Sequence, residues 1–266
     1  MARLGILGLG NMGEAIVGAL LGSGFKRDDL LGYEVKEERA RTVKEKYLLE
    51  LAPAPQALVE RSTYVLVAVK PQDAKGLLSS IASVIGPDKV VISIMAGVTT
   101  SNVLSMVEKP VKVIRIMPNI CVKVGQGAMG MTANDLVPDE ALRETKAMLA
   151  PLGRMEEVRE DLMDAITALS GSGPAFFLSF LEGMIDAGLK MGLPRDKAST
   201  LALQTVKGTV AMLEAEKLHP TLMKEMITSP GGTTIAGLAY LEEKGFKGIL
   251  IKAIEEARKR AKELSG

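Results

Sequence analysis

Short apolar runs alternate with amphipathic stretches through the first part of the chain. Strand candidates are "RLGILG" (Arg3–Gly8), "LLGYEV" (Leu30–Val35), "TYVLVAV" (Thr63–Val69), "VVISIM" (Val90–Met95) and "VKVIRIM" (Val111–Met117). Helical spacing of apolar positions lies between them, at Met12–Leu21, Glu37–Lys46, Asp73–Ile85 and Thr100–Val107. Strand–helix–strand repetition of this kind predicts an α/β fold, a doubly wound parallel sheet with helices on both faces. Two further strand-like pieces, "GQGAMGMT" and "RMEEV", flank a helix at Asp139–Leu149 and extend or edge that sheet.

After Asp161 the strand pattern stops. The rest of the chain has helical periodicity, broken at "SGSGP", "MGLP", "LHP", "SPGG" and "KGF". The sequence therefore divides into a dinucleotide-binding type of domain over residues 1–160 and an all-helical domain over residues 161–266. In the second, "PAFFLSFLEGMIDAGLKMG" is apolar on nearly every side, more than one small bundle can cover. A second copy of the chain covers such a face, so a homodimer through the helical domain is expected.

Composition narrows the function classes. The 266 residues are 47% hydrophobic and 24% charged, an ordinary water-soluble balance. A net charge of +1 without a basic block argues against nucleic acid as a partner. No apolar run reaches bilayer length and the opening residues lack a signal-peptide pattern, so a cytoplasmic protein is expected. The single cysteine, Cys121, excludes an internal disulfide and any multi-cysteine metal site. It reads as a small buried residue, and no metal is expected.

The first chemistry-bearing motif is "GLGNMG". Gly8, Gly10 and Gly13 follow a strand and open a helix in the G-x-G-x-x-G spacing. The first glycine permits a tight turn, the second admits a pyrophosphate to the backbone, and the third allows close helix–strand packing. A ligand-free glycine turn would share the spacing; the α/β context favours a dinucleotide. Downstream, Glu34 stands where an acidic residue accepts hydrogen bonds from the adenosine ribose, which leans towards NAD, while Lys36 could attract a 2′-phosphate. A pair of solvated strand-end charges is the alternative.

Candidates for proton transfer are few. The sole histidine, His219 in "KLHPTL", reads as a loop or cap residue, so the chemistry is expected to lack an ionisable acid on the protein. That suits a substrate carrying its own proton, such as a protonated imine. "SPGGTT" (Ser229–Thr234) then gains a purpose. Pro230 stops a helix, Gly231 and Gly232 can take positive φ, and Thr233 or Thr234 can cap the next helix. The successive N–H groups of such a bend form a site for a carboxylate; an ordinary helix-hairpin turn is the alternative.

These residues resemble those of the pyrroline-5-carboxylate reductase family over essentially the whole chain. The resemblance is carried by "GLGNMG", "AVKP" (Ala68–Pro71), "MAGV" (Met95–Val98), "RIMPN" (Arg115–Asn119), "ALSGSGPAF", "MGLPR" and above all "SPGGTTIAGL". It implies a Rossmann domain followed by a helical domain that interlocks with its partner into a dimer, in some cases assembling further. The implied activity is hydride transfer from NAD(P)H to the C=N carbon of 1-pyrroline-5-carboxylate, the last step of proline synthesis. Family cofactor contacts fall here on Leu7, Gly8, Leu9, Gly10, Asn11 and Met12, on Ala68, Val69, Lys70 and Pro71, and on Met95, Ala96 and Asn119. The substrate carboxylate falls on backbone groups of Gly232, Thr233 and Thr234, with Thr234 as the catalytic partner of the ring nitrogen. The chain departs from many relatives at Glu34–Val35–Lys36, where they carry Asn–Arg–Ser or similar residues. Two other readings share parts of the pattern: a β-hydroxyacid dehydrogenase, for which Lys190 would have to be catalytic, and a non-catalytic dinucleotide sensor.

Overall fold

Strand β1 (Ala2–Leu7) is buried from Leu4 onwards, with Leu4, Ile6 and Leu7 inaccessible to solvent. A strand this apolar needs helices on both faces of its sheet. The structure, a computed structural model describing residues 2–265, provides them. After β1 come α1 (Asn11–Gly22), β2 (Leu30–Tyr33), α2 (Glu37–Tyr47), β3 (Glu50–Leu51), α3 (Pro55–Arg61), β4 (Ser62–Val67), α4 (Pro71–Ile81), β5 (Val90–Ser93), α5 (Thr100–Val107) and β6 (Lys112–Met117). The sheet is completed by β7 (Gly127–Ala133) and β8 (Gly153–Glu157), with α6 (Asp139–Leu149) between them.

The eight strands lie in the order β3-β2-β1-β4-β5-β6-β7-β8. Period-two alternation splits the core: Tyr64 and Leu66 pack with Ile16 and Leu20 of α1, whereas Val65 and Val67 pack with Leu58 of α3, Leu78 of α4 and Val103 of α5. This is the doubly wound sheet expected from the sequence.

β7 runs antiparallel to β6, with Arg115 opposite Thr132 and Met117 opposite Gly130. Residues 118–126 are too few for a crossover, which takes a dozen or more. The chain turns back instead, and α6 then carries it across to β8, parallel to β7. Two elements have no counterpart in the sequence reading: the two-residue edge strand β3, and α3 ahead of β4.

Beyond β8 the chain is helical: α7 (Met163–Ile166), a π-turn over Thr167–Gly171, α8 (Gly173–Lys190), α9 (Arg195–Glu216), α10 (Pro220–Met226), α11 (Thr233–Glu243) and α12 (Phe246–Ser265). Residues up to Pro174, together with the stretch from Ala257, form one compact unit; Ala175–Glu256 form another. Small residues seat α8 on α9 in the second unit, where a side chain on Gly188 would press on Ala198. Few side chains there are buried, among them Ala198, Ala202 and Met223. Leu178, Leu201, Leu203, Tyr240 and Ile249 are all more than half exposed. Among the described residues no helix is long and apolar enough to cross a membrane.

Helix α5 shows how local chemistry sets element ends. Thr99 Oγ1 accepts from the Asn102 N–H at 3.0 Å, and Asn102 Oδ1 accepts from the Thr99 N–H at 2.9 Å, closing a capping box. At the other end Glu108 adopts φ 57°, a left-handed conformation better suited to glycine. Glu108→Gly is therefore expected to raise stability by about 0.5–1 kcal/mol in urea denaturation, the relief of side-chain strain outweighing the added freedom of the unfolded chain. An unchanged or lower midpoint would contradict this account.

Candidate functional site

The strand order reverses direction between β1 and β4, and a crevice opens there at the carboxyl ends of the strands. It is a cleft of about 760 Å³ lined by the ends of three strands: Gly8 and Gly10 after β1, Tyr33–Lys36 after β2, and Ala68–Lys70 after β4. Backbone bonds continue past the strands and fix these ends. Gly8 N–H donates to Tyr33 O at 2.9 Å, and Ala68 N–H donates to Leu7 O at 2.8 Å.

Each glycine of the loop has its own task. Gly8 turns the chain at φ 96°, a conformation that a side chain would strain. Gly13 lies in the first turn of α1, where an added methyl would collide with the Gly8 carbonyl oxygen. Gly10 is the reverse case: a methyl there would meet no protein atom within 4 Å, because that position opens on the cleft. Helix α1 starts at Gly10 without a described side-chain cap, so its first-turn N–H groups remain available to an anion. A cradle of this shape fits a dinucleotide diphosphate.

The residue between the first two glycines is gripped from both ends. Leu9 has a fully buried side chain. Its N–H donates to Glu34 Oε2 at 2.8 Å, and its carbonyl accepts from Arg39 Nε at 2.7 Å. Arg39, on α2, also pairs with Glu14 of α1, and Glu14 pairs with Lys46 at 2.9 Å. The Lys46 hydrogen bond, followed by the Arg39 charge, holds the Glu14 carboxyl below the ordinary 4.5, against the opposing pull of partial burial. Arg39 was not among the sequence candidates. Within the charged run "EERARTVKEKY" it looks like any solvated residue, and only its contacts with positions 9 and 14 set it apart.

Other sequence candidates are not part of the cleft's lining. Asn11 is exposed at the start of α1, Met12 packs on the core, and Pro71 opens α4. Met95 is buried just beyond β5, next to exposed Ala96. Asn119 is buried and its amide is engaged within the protein. Its Oδ1 accepts from Cys121 N–H at 3.2 Å and Ala128 N–H at 3.3 Å, and its Nδ2 donates to the Ser170 carbonyl, in the π-turn, at 3.0 Å. Cys121 is half-buried, not buried as expected: in the short 3₁₀ turn Ile120–Val124 it is the neighbouring Val122 that enters the core. Cleft residues the sequence reading passed over include Tyr33, Gln72, Asp73 and Ser80.

In the second unit, Ser229–Gly232 is a tight turn in which Gly232 N–H donates to Ser229 O at 3.1 Å. Pro230 and Gly231, the latter at φ 69°, occupy its two central positions, the arrangement of a type II turn. The expected threonine cap does not form. The turn delivers Gly232 itself to the cap position of α11, so Thr233 and Thr234 become its first two helical residues. No described side chain takes the first-turn N–H groups of α11, and Thr234 is half-buried among them. His219 caps α10, its Nδ1 accepting from Thr221 N–H at 3.3 Å, in line with the sequence reading.

Two family models match the chain. One described as NADP oxidoreductase, coenzyme F420-dependent, matches residues 3–97, and one described as pyrroline-5-carboxylate reductase dimerisation matches residues 160–264. The chain is 39% identical to a pyrroline-5-carboxylate reductase of Synechocystis, covering 98% of each. It is 37% identical to that of Aquifex aeolicus, covering 98% of this chain and 97% of the relative. The crystal structure of Plasmodium falciparum pyrroline carboxylate reductase with NADP bound is similar at a TM-score of 0.90 and 32% identity, over 100% of this chain and 98% of that one.

The second and third glycines of the loop separate stability from binding. Gly13→Ala is expected to destabilise the chain by about 1–3 kcal/mol through overpacking. Gly10→Ala should melt like the parent yet bind a dinucleotide at least about tenfold more weakly in calorimetry, the methyl standing where the diphosphate approaches. The Glu14 network also carries a pH signature. A carboxylate with a depressed pKa contributes stability that is full above its ordinary 4.5 and is lost as pH falls through the lowered value. The stability advantage of the parent over Glu14→Gln should therefore shrink in denaturation curves as pH falls below 4.5.

Proposed function

The chain belongs to the pyrroline-5-carboxylate reductase family, and on that premise we propose that it reduces 1-pyrroline-5-carboxylate to L-proline with NAD(P)H. The observation that carries this reading is the Pro230–Gly231 turn, which brings the second unit an uncapped helix start with two threonines in its first turn. A turn serving only to join two helices has no need of open N–H groups at the start of the second.

In this reading the substrate carboxylate sits on the backbone N–H groups of Gly232, Thr233 and Thr234, where the positive end of α11 favours an anion. Gly232 has to remain a glycine, because a side chain there would press on the Ser229 hydroxyl. The Thr234 hydroxyl bonds the ring nitrogen and so fixes which face of the imine is presented. The dinucleotide is held by the first unit: its diphosphate at Gly10 and the start of α1, its remaining length along the ends of β2 and β4.

When bound, the reduced nicotinamide supplies a hydride. The C=N carbon takes that electron pair, the π pair passes to nitrogen, and the nitrogen keeps a proton acquired from solvent. The protein does not have to provide the acid, and His219 is committed to capping α10. What the chain contributes is placement, and binding at the carboxylate then serves the rate as well as the affinity. The apolar side chains that α8, α9, α11 and α12 leave exposed support a homodimer through the second unit.

A steady-state assay with racemic pyrroline-5-carboxylate tests the activity; absence of turnover with either reduced nicotinamide dinucleotide would refute it. Thr234→Ala is expected to lower kcat/KM by the equivalent of about 1–3 kcal/mol, one hydrogen bond to a charged group. Parental values of both kcat and KM would remove Thr234 from the mechanism.

A further inference from the structure

Resting on the reading that the β1–β4 cleft takes a nicotinamide dinucleotide, we propose that it selects NADH over NADPH, with Glu34 as the selecting residue. Glu34 follows β2, is half-buried and lines the cleft. Two backbone donors hold its carboxylate: Leu9 N–H at 2.8 Å on Oε2 and Lys36 N–H at 3.1 Å on Oε1. A carboxylate has room for about four hydrogen bonds, so both oxygens can still accept. Two adjacent ribose hydroxyls are donors of the right number and kind. A 2′-phosphate brings only acceptors and negative charge to the same oxygens, and neither it nor the carboxylate can relieve the conflict with a hydrogen bond.

A cation beside Glu34 could reverse this preference, and Arg39, which lines the same cleft, is the one to consider. Its guanidinium is already engaged: Nε donates to the Leu9 carbonyl and a terminal nitrogen pairs with Glu14. Turning its planar fork towards a phosphate would release both the glycine loop and α1. Glu14 also balances the Arg39 charge and, with its pKa depressed, remains ionised at neutral pH. Lys36 is exposed, a flexible point charge where bidentate recognition of a phosphate calls for a fork. Lys70 and Asp73 also line the cleft, beyond β4, and offer opposite charges. The 2′ position is thus governed by a carboxylate fixed in place before any ligand arrives. One of the two backbone bonds that fix it, from Leu9 N–H, comes from the diphosphate loop, so a single side chain ties the shape of the loop to the choice of cofactor.

The test is calorimetric titration of the full chain with AMP and with 2′,5′-ADP, which differ only in the 2′-phosphate and need no turnover, and then with NADH and NADPH. The parent is expected to bind AMP at least about tenfold more tightly than 2′,5′-ADP, with the same ordering for the complete cofactors. Glu34→Ser should narrow that ratio by about tenfold or more through a gain in affinity for the phosphorylated nucleotide. Because Glu34→Ser also removes an acceptor from Leu9, Glu34→Gln is measured beside it; its amide oxygen can still receive the Leu9 N–H while the charge is gone, and the ratio should move the same way. Equal affinities in the parent, or tighter binding of 2′,5′-ADP, overturn the selectivity and leave the reductase reading standing. A ratio that neither variant changes overturns the assignment to Glu34. Failure of all four nucleotides to bind overturns this inference and the dinucleotide reading together.

Discussion

The organisation of the first unit depends on the turn between β1 and α1. β1 is buried on both faces, so it cannot end in a loose loop, and the chain has to reverse into a helix within residues 8–10. That turn is possible only because Gly8 takes a positive φ and Gly13 leaves space for the Gly8 carbonyl. The tight approach brings the open end of α1 to the rim of the sheet, where the strand order reverses. Fold and anion cradle are thus one constraint viewed from two sides. The packing that lets the helix lie on the sheet also exposes its first N–H groups to the cleft.

Charge then secures what sterics allow. Leu9 sits between two glycines, the most conformationally free residues, yet Glu34 and Arg39 each hold one of its backbone groups. The two side chains come from the end of β2 and from α2, so the loop is tied to the neighbouring strand–helix unit. Glu14 and Lys46 extend the network to both helices. Such preorganisation lowers the entropy lost on binding, because the loop is ordered before a ligand arrives.

Much of this was legible in the amino-acid pattern, for identifiable reasons. The apolar runs of β1, β4 and β5 stand out because both faces of the sheet are covered. The spacing of Gly8, Gly10 and Gly13 marks the turn. Elements of two to seven residues such as β3 and α3 are too short to establish a period, and the reversal of β7 depends on the length of a connection, which apolar patterning does not weigh. The long-range contacts of Arg39 and Asn119 were obscure for a different cause. Their partners lie 30 and 51 residues away, at Leu9 and Ser170, and no local window joins them. Thr233 looked like a cap because threonine commonly is one; the Pro–Gly turn had already filled that position with Gly232.

The sparse interior of Ala175–Glu256 has a consequence for how the chain reaches its native state. A segment with so few enclosed side chains, and with Leu178, Leu201, Tyr240 and Ile249 open to water, gains little from folding by itself. If a second copy supplies the missing enclosure, the last stage of folding is a bimolecular reaction. Mass action then sets the occupancy of the native state, so dilution acts as a denaturant and the melting temperature climbs with concentration.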